Sequence, residues 1–250
     1  MLRKKIIIGN MITWCLLLLA TIILNIFMTT SNYEVNRINT KQKIVMLTFD
    51  DGPTVADEKI LDILKQENIK ATFFQTGKNI ARYDSEPTIK HVLDRIINEG
   101  HAIGNHSYFH QKYMTKQKTL INELQATNNL IKKVYKANNI SISDINIPIR
   151  MPYLQYYRGL DYVQKKLNIP YWIRGYLGTD YDEEKAGKDL ILKQYKSHLK
   201  PGIIFVAHTR AYAQSWLKDL IVWLKQQGYQ FASFNQNNAS YYGNYGNLVN

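Results

Sequence analysis

The stretch KIVMLTFDDGP, residues 43–53, decides the fold. Its first seven residues are a short apolar run that reads as a strand, closed by the turn dipeptides Asp-Gly and Gly-Pro. Working outward, the same alternation recurs down the chain. Residues 55–66 have helical spacing through Ile60, Leu61, Ile63 and Leu64, and 71–76 is a second strand. Residues 88–99 set Val92, Leu93, Ile96 and Ile97 on one helical face, Gly100 caps them, and 101–105 is a third strand. A longer helix over 116–136, a strand at 146–150, a helix at 160–167 and a strand at 171–177 follow. The helix over 188–199 stops at Pro201-Gly202, ahead of a strand at 203–208, a helix at 213–227 and a strand at 229–234. About seven alternations of strand and helix predict an α/β fold with a parallel sheet, doubly wound or closed into a barrel. In both, function sits at the C-terminal ends of the strands.

On the N-terminal side, Arg3, Lys4 and Lys5 precede an uncharged run over residues 6–28. That is about the 20 residues a helix needs to cross a bilayer, and the basic cluster holds its N-terminal side in the cytoplasm. A cleaved signal peptide is the competing reading, but its apolar core is shorter and ends in a small-x-small site, whereas this exit reads FMTTS. The division is therefore a signal anchor over 1–28, a polar tether over 29–42, a folded domain over 43–235 and an Asn/Tyr/Gly-rich disordered tail over 236–250. Either way the chain leaves the cytosol, and the expected place is the cell membrane with the folded domain outside. Of 250 residues 45% are hydrophobic, which excludes a disordered or fibrous chain. The net charge of +12 is spread rather than blocked, which suits an anionic envelope; no nucleic-acid motif or dense basic stripe accompanies it. The single Cys15 lies in the apolar run, so no intrachain disulfide or thiolate metal site is possible.

The strand ends hold the chemistry. The first ends in Asp50-Asp51-Gly52-Pro53; as neighbours on a strand the two carboxylates point to opposite sides and should play different roles. After the third strand, His106 and His110 lie four apart and converge on one cation if that segment is a helical turn. Two imidazoles and one carboxylate match the three-ligand pattern of a catalytic zinc with an open fourth position. Arg150 closes the fourth strand, as a surface charge or as a fixed partner for a carboxylate. His208 ends the sixth strand, and Asp180 or Asp182, after the fifth, is placed to orient it. Tyr153, Tyr156 and Tyr157 form an aromatic cluster that can stack on sugar rings or simply be partly buried.

Taken together and in this order, the motifs TFDDGP (48–53), HSxxxH (106–110, with GHAIGNH leading in), RxPY (150–153) and VAH (206–208) resemble those of the polysaccharide deacetylases of carbohydrate esterase family 4. That family includes chitin, chitooligosaccharide and peptidoglycan N-acetylglucosamine deacetylases, and the resemblance runs from about residue 43 to 234. It implies a distorted (β/α) barrel of about seven strands. It also implies that Asp51, His106 and His110 bind one divalent metal, zinc foremost, and that Asp50 is the general base held ionised by Arg150. The backbone N–H of Tyr153 would help hold the oxyanion. His208, oriented by Asp180 or failing it Asp182, would protonate the leaving amine. The family's usual Trp after that Asp is replaced here by Tyr181, and Thr209 stands where Asp is common. The expected partner is an N-acetylglucosamine-containing envelope polysaccharide such as peptidoglycan or poly-N-acetylglucosamine. A non-catalytic glycan-binding protein on the same fold and an O-acetyl esterase are the alternatives.

Overall fold

The computed structural model describes residues 34–157 and 159–234, with residues 14, 16–19 and 248–249. Two short strands, β1 (Glu34–Val35) and β2 (Arg37–Ile38), open it inside the stretch read above as a tether. Val35 and Ile38 are buried, and two apolar residues in so short a piece show no period from sequence. There follow β3 (Ile44–Asp50), α1 (Ala56–Gln66), β4 (Thr72–Gln75), α2 (Gly77–Ile80), α3 (Pro87–Asn98), β5 (Ala102–Asn105), α4 (Gln117–Ala137), α5 (Leu160–Leu167), β6 (Trp172–Ile173), β7 (Tyr176–Leu177), α6 (Glu183–Ser197), β8 (Ile203–His208), α7 (Ala213–Gln226), β9 (Gln230–Ala232) and β10 (Leu248–Val249).

The fully buried β3 is the hub. β8 runs parallel along one edge, and the other edge is shared by β9 at its start and β4 at its end. From β4 the sheet continues through β5 to Ile149 and then Trp172 of β6 by parallel bridges, while β7 pairs back onto β8. The sheet thus curls into a distorted α/β barrel. The strand expected over 146–150 shrinks to the bridging residue Ile149, because Pro148 has no N–H to give to a ladder. The strand expected over 171–177 splits at Gly175, whose φ of 94° breaks the ladder. A Cβ there would sit 2.6 Å from Ile204 O, so only glycine lets β7 close on β8. The helix expected over 188–199 starts earlier, at Glu183, with non-helical Gly187 inside it. Within the stretch read as a tail, β10 pairs antiparallel with β2.

The helices attach by apolar stripes. Ile60, Leu61 and Leu64 of α1 and Val92, Leu93 and Ile96 of α3 join Leu47, Phe49 and Phe73 in one core, and each such side chain contributes roughly 1.5–3 kcal/mol by leaving water. Under α7, Trp216 stacks on Tyr195 at 5.4 Å. Among the described residues no helix is long and apolar enough to cross a membrane; the segment 6–28 lies mostly outside them.

Candidate active site

The cross-strand register assembles the site at the C-terminal end of the barrel, where Asp50 pairs with His208 on one side and Phe74 on the other. Asp50 is buried, and its Oδ1 accepts from Arg150 Nη1 at 2.7 Å. Arg150 is itself fully buried: it also donates to Thr48 Oγ1 at 2.7 Å and lies over the Phe74 ring at 4.1 Å. A buried, hydrogen-bonded pair of this kind fixes the carboxylate, and truncating either partner strands the other.

Strand alternation does not separate Asp50 and Asp51, contrary to the sequence expectation. Asp51 lies past the end of β3 at φ 78°, so the chain turns and both carboxylates face one cleft. His106 Nε2 stands 3.8 Å from Asp50 Oδ2 and 3.5 Å from Asp51 Oδ1; His110 Nε2 is 3.2 Å from the same Asp51 oxygen. Nor is the 106–110 segment a helical turn: Ser107 and His110 hold φ of 61° and 54°, and this irregular loop brings the two rings to 5.0 Å. Left-handed backbone is costly for such residues and gathers where a site requires it. Among the described residues, five of the eight non-glycine residues with positive φ are Asp51, Ser107, His110, Tyr153 and Leu154; the rest are asparagines.

His106 Nδ1 lies 2.9 Å from Arg150 O, an oxygen that can only accept, so Nδ1 carries the proton and the Nε2 lone pair faces the cleft. Burial, outweighing the pull of Asp50 and Asp51, lowers the His106 pKa and keeps the ring neutral. For Asp51, burial acts upward, but the His110 contact and the charges of His106, His208 and His110 prevail and hold the carboxyl far below its ordinary range. Asp51 Oδ1 is buried without a hydrogen-bond partner of good geometry, and the three donor atoms lie within 4.8 Å of one another. One ionised oxygen facing two imidazole nitrogens is a donor set that fits a divalent cation, zinc included.

Of the two aspartates left open, Asp180 meets His208. Its Oδ2 accepts from His208 N at 2.6 Å and lies 3.2 Å from Nδ1, while Tyr195 Oη donates to Oδ1 at 3.0 Å. Asp182 points outward to Lys185. Burial would lower the His208 pKa, but the hydrogen bond and charge of Asp180, then Asp50 and Asp51, raise it above 6.5. Tyr153 is exposed, lines the cleft and lies tilted against the His110 ring at 4.6 Å. Tyr156 and Tyr157, expected on the substrate, are core residues: both are buried, with hydroxyls donated to Ile173 O at 2.7 Å and Tyr113 O at 2.8 Å. Their spacing beside Tyr153 shows aromaticity but not direction. Leu154, Leu177, Tyr181 and Arg210 complete the cleft of about 360 Å³. Arg210 Nη2 donates to Asp51 Oδ2 at 2.8 Å, a contact with no local signal because it spans 159 residues.

Residues 37–172 match the family described as polysaccharide deacetylase. The chain belongs to the polysaccharide deacetylase family. Its relatives include the peptidoglycan-N-acetylmuramic acid deacetylase PdaA of Bacillus subtilis, 35% identical over 209 residues, with 78% of this chain and 71% of PdaA covered. The peptidoglycan-N-acetylglucosamine deacetylase PgdA of Listeria monocytogenes is 30% identical, with 81% of this chain but 40% of PgdA covered. Among solved structures, PdaA superposes with a TM-score of 0.67 at 29% identity, covering 81% of this chain and 83% of that one. A Bacillus anthracis pseudoenzyme of carbohydrate esterase family 4 superposes equally well, at 0.67 and 23% identity, covering 81% and 68%, so the shared fold alone does not confer activity. This polysaccharide deacetylase is a hydrolase of the family, and it brings a carboxylate–arginine pair, a three-donor cluster and a carboxylate-held histidine to one cleft.

Proposed function

We propose that the chain hydrolyses N-acetyl groups from N-acetylglucosamine units of a cell-envelope polysaccharide, peptidoglycan or poly-N-acetylglucosamine, releasing acetate. The observation that supports it most is the convergence of Asp51 Oδ1, His106 Nε2 and His110 Nε2 beside the Asp50–Arg150 pair. Asp51, His106 and His110 would hold one divalent metal, zinc by the chemistry of the donor set. Such an ion polarises a carbonyl and makes water a stronger nucleophile near neutral pH.

The other steps belong to the chain. Asp50, kept ionised and aimed by Arg150, takes a proton as water oxygen bonds to the acetyl carbonyl carbon. The backbone N–H of Tyr153 donates to the developing oxyanion. As the C–N bond breaks, imidazolium His208 gives its proton to the leaving nitrogen, which would otherwise depart as a very basic amide anion. Asp180 holds His208 in the orientation and charge state that this requires. Acetate and a free amine result. Tyr153 and Tyr181, both exposed at the cleft, supply faces for sugar rings.

A non-catalytic reading is weaker here because base, acid and all three donors are present. We further infer, from Arg3, Lys4, Lys5 and the apolar run over 6–28, that the chain is anchored in the cell membrane with this domain outside. The tether is then no longer than about 29–33, which favours substrate close to the membrane. Acetate release by the full chain from N-acetylglucosamine oligomers and from purified peptidoglycan tests the reaction and ranks the polymers. Equal amounts of acetate and new amine are expected; a folded, zinc-supplied protein that releases neither from either substrate would overturn it.

A further inference from the structure

The loop that bears His106 and His110 leaves β5 in an irregular path, with Ser107 and His110 in left-handed conformations. Left to itself, such a loop has many alternatives, and ordering it costs about 1–2 kcal/mol of backbone entropy per residue. The amides of Gly77 and Lys78 donate to Ser107 O and Tyr108 O, and Asn105 Oδ1 accepts from Ser107 N; the amides of Tyr108 and Phe109 are held from α4. Glu123, on the inward face of α4 between Leu120 and Leu124, is almost fully buried. Its Oε2 accepts from Tyr108 N at 3.1 Å and Phe109 N at 2.9 Å, two of the three amides between the histidines. The same oxygen accepts the hydroxyl proton of Tyr113. Tyr113 and Ser107 share a hydrogen bond at 3.0 Å between their hydroxyls, and Ser107 Oγ in turn accepts from His110 N at 3.2 Å. One carboxylate therefore fixes the loop at the Tyr108 and Phe109 amides directly and at its two strained residues through Tyr113.

We propose that Glu123 is a positioning residue for the metal site: it pre-organises the 106–110 loop so that both imidazoles meet Asp51 without further ordering. The proposal rests on the metal reading above. It explains an acid buried between Leu120 and Leu124 on the inward helix face, where burying a carboxylate is unfavourable unless its donors are supplied. It also assigns Tyr113, buried and outside the cleft lining, to the same device. A pre-organised loop binds the ion without the ordering cost, so loosening it weakens affinity with all three donor residues unchanged.

The test is zinc titration of the full-length protein by calorimetry, with chelator competition. Glu123→Gln keeps the shape but loses the charge that holds three donors at once. Its zinc Kd should rise roughly tenfold to a hundredfold, the usual effect of losing a group that supports metal ligands. Tyr113→Phe should weaken binding in the same direction by less, since the direct amide contacts remain. Tyr135→Phe is the control: its hydroxyl, on the same helix, accepts from Ile103 N at 3.1 Å and touches nothing in the loop, so it should cost fold stability but leave zinc Kd unchanged. An unchanged Kd in Glu123→Gln, or an equal rise in Tyr135→Phe, would overturn the proposal. Absence of zinc binding by the wild-type chain would instead sink the metal reading beneath it.

Discussion

At the scale of single residues, chemistry is divided between two buried carboxylate partnerships. Arg150 fixes Asp50 by a hydrogen bond at 2.7 Å, and Asp50→Asn, which keeps an acceptor for it, should lower kcat by about 10²–10⁴ in a chain that still folds, measured by acetate release beside a melting curve. Asp180 raises the His208 pKa above 6.5 against the effect of burial. A general acid must hold its proton, so activity should persist below that raised pKa and fall as pH rises through it. In Asp180→Asn the largest upward influence is gone and burial remains; the alkaline limb of kcat/KM should move to lower pH. An unmoved limb would remove His208 as the acid. Asp50, Asp51, His106, His110, Arg150 and His208 were legible in the sequence because each lies at or shortly after the end of an apolar run and sits in a short motif. Arg210 and Glu123 were not: each acts on a backbone or carboxylate brought near only by the fold. Tyr156 and Tyr157 misled because adjacency to Tyr153 does not tell which way a ring points.

At the scale of elements, the turn after β3 is the tightest piece of the site. A Cβ on Gly52 would lie 2.3 Å from Gln75 Oε1 and 2.7 Å from Asp57 Oδ2, both on buried residues. Asp57 cannot yield freely, because it accepts from Thr54 N at 2.8 Å and Thr209 Oγ1 at 2.9 Å, tying the turn to the residue after His208. Gly52→Ala should therefore displace Asp51, destabilise by about 1–3 kcal/mol in urea unfolding, and weaken zinc binding. The long strands and all the larger helices were legible because their apolar spacing spans several turns or repeats. The strands expected at 146–150 and 171–177 are there, but shortened to Ile149 and to β6 and β7. β1 and β2 were not legible, since two residues paired through long-range bridges carry no period of their own. The splitting of 171–177 was likewise hidden, because Gly175 reads as an ordinary strand glycine until β8 is packed beside it.

At the scale of the whole molecule, stability should depend on pH through a histidine outside the site. Burial, aided by the charges of Lys70 and Arg95, pushes His101 down to about 3, and its Nδ1 accepts from Ala71 N at 3.1 Å. The folded state thus keeps this ring neutral, while the unfolded chain takes up a proton below about 6.5. That stability is complete above 6.5 and is lost as pH falls toward 3, by up to about 1.4 kcal/mol per pH unit. His101→Gln should flatten the acid side of a plot of Tm against pH; an identical slope would show that other groups dominate. The barrel as a whole was legible from the count of alternations, and its closure through Ile149 was not. The claim on which most depends is that one metal in the Asp51–His106–His110 cluster works with Asp50 as base. The measurement that tests it most directly is acetate release from N-acetylglucosamine oligomers by the chelator-treated full chain, before and after zinc is restored, beside Asp50→Asn. Release abolished by chelation, restored by zinc and absent in Asp50→Asn despite normal zinc binding is the expected result. Release that survives complete metal removal, or that Asp50→Asn leaves intact, would contradict it.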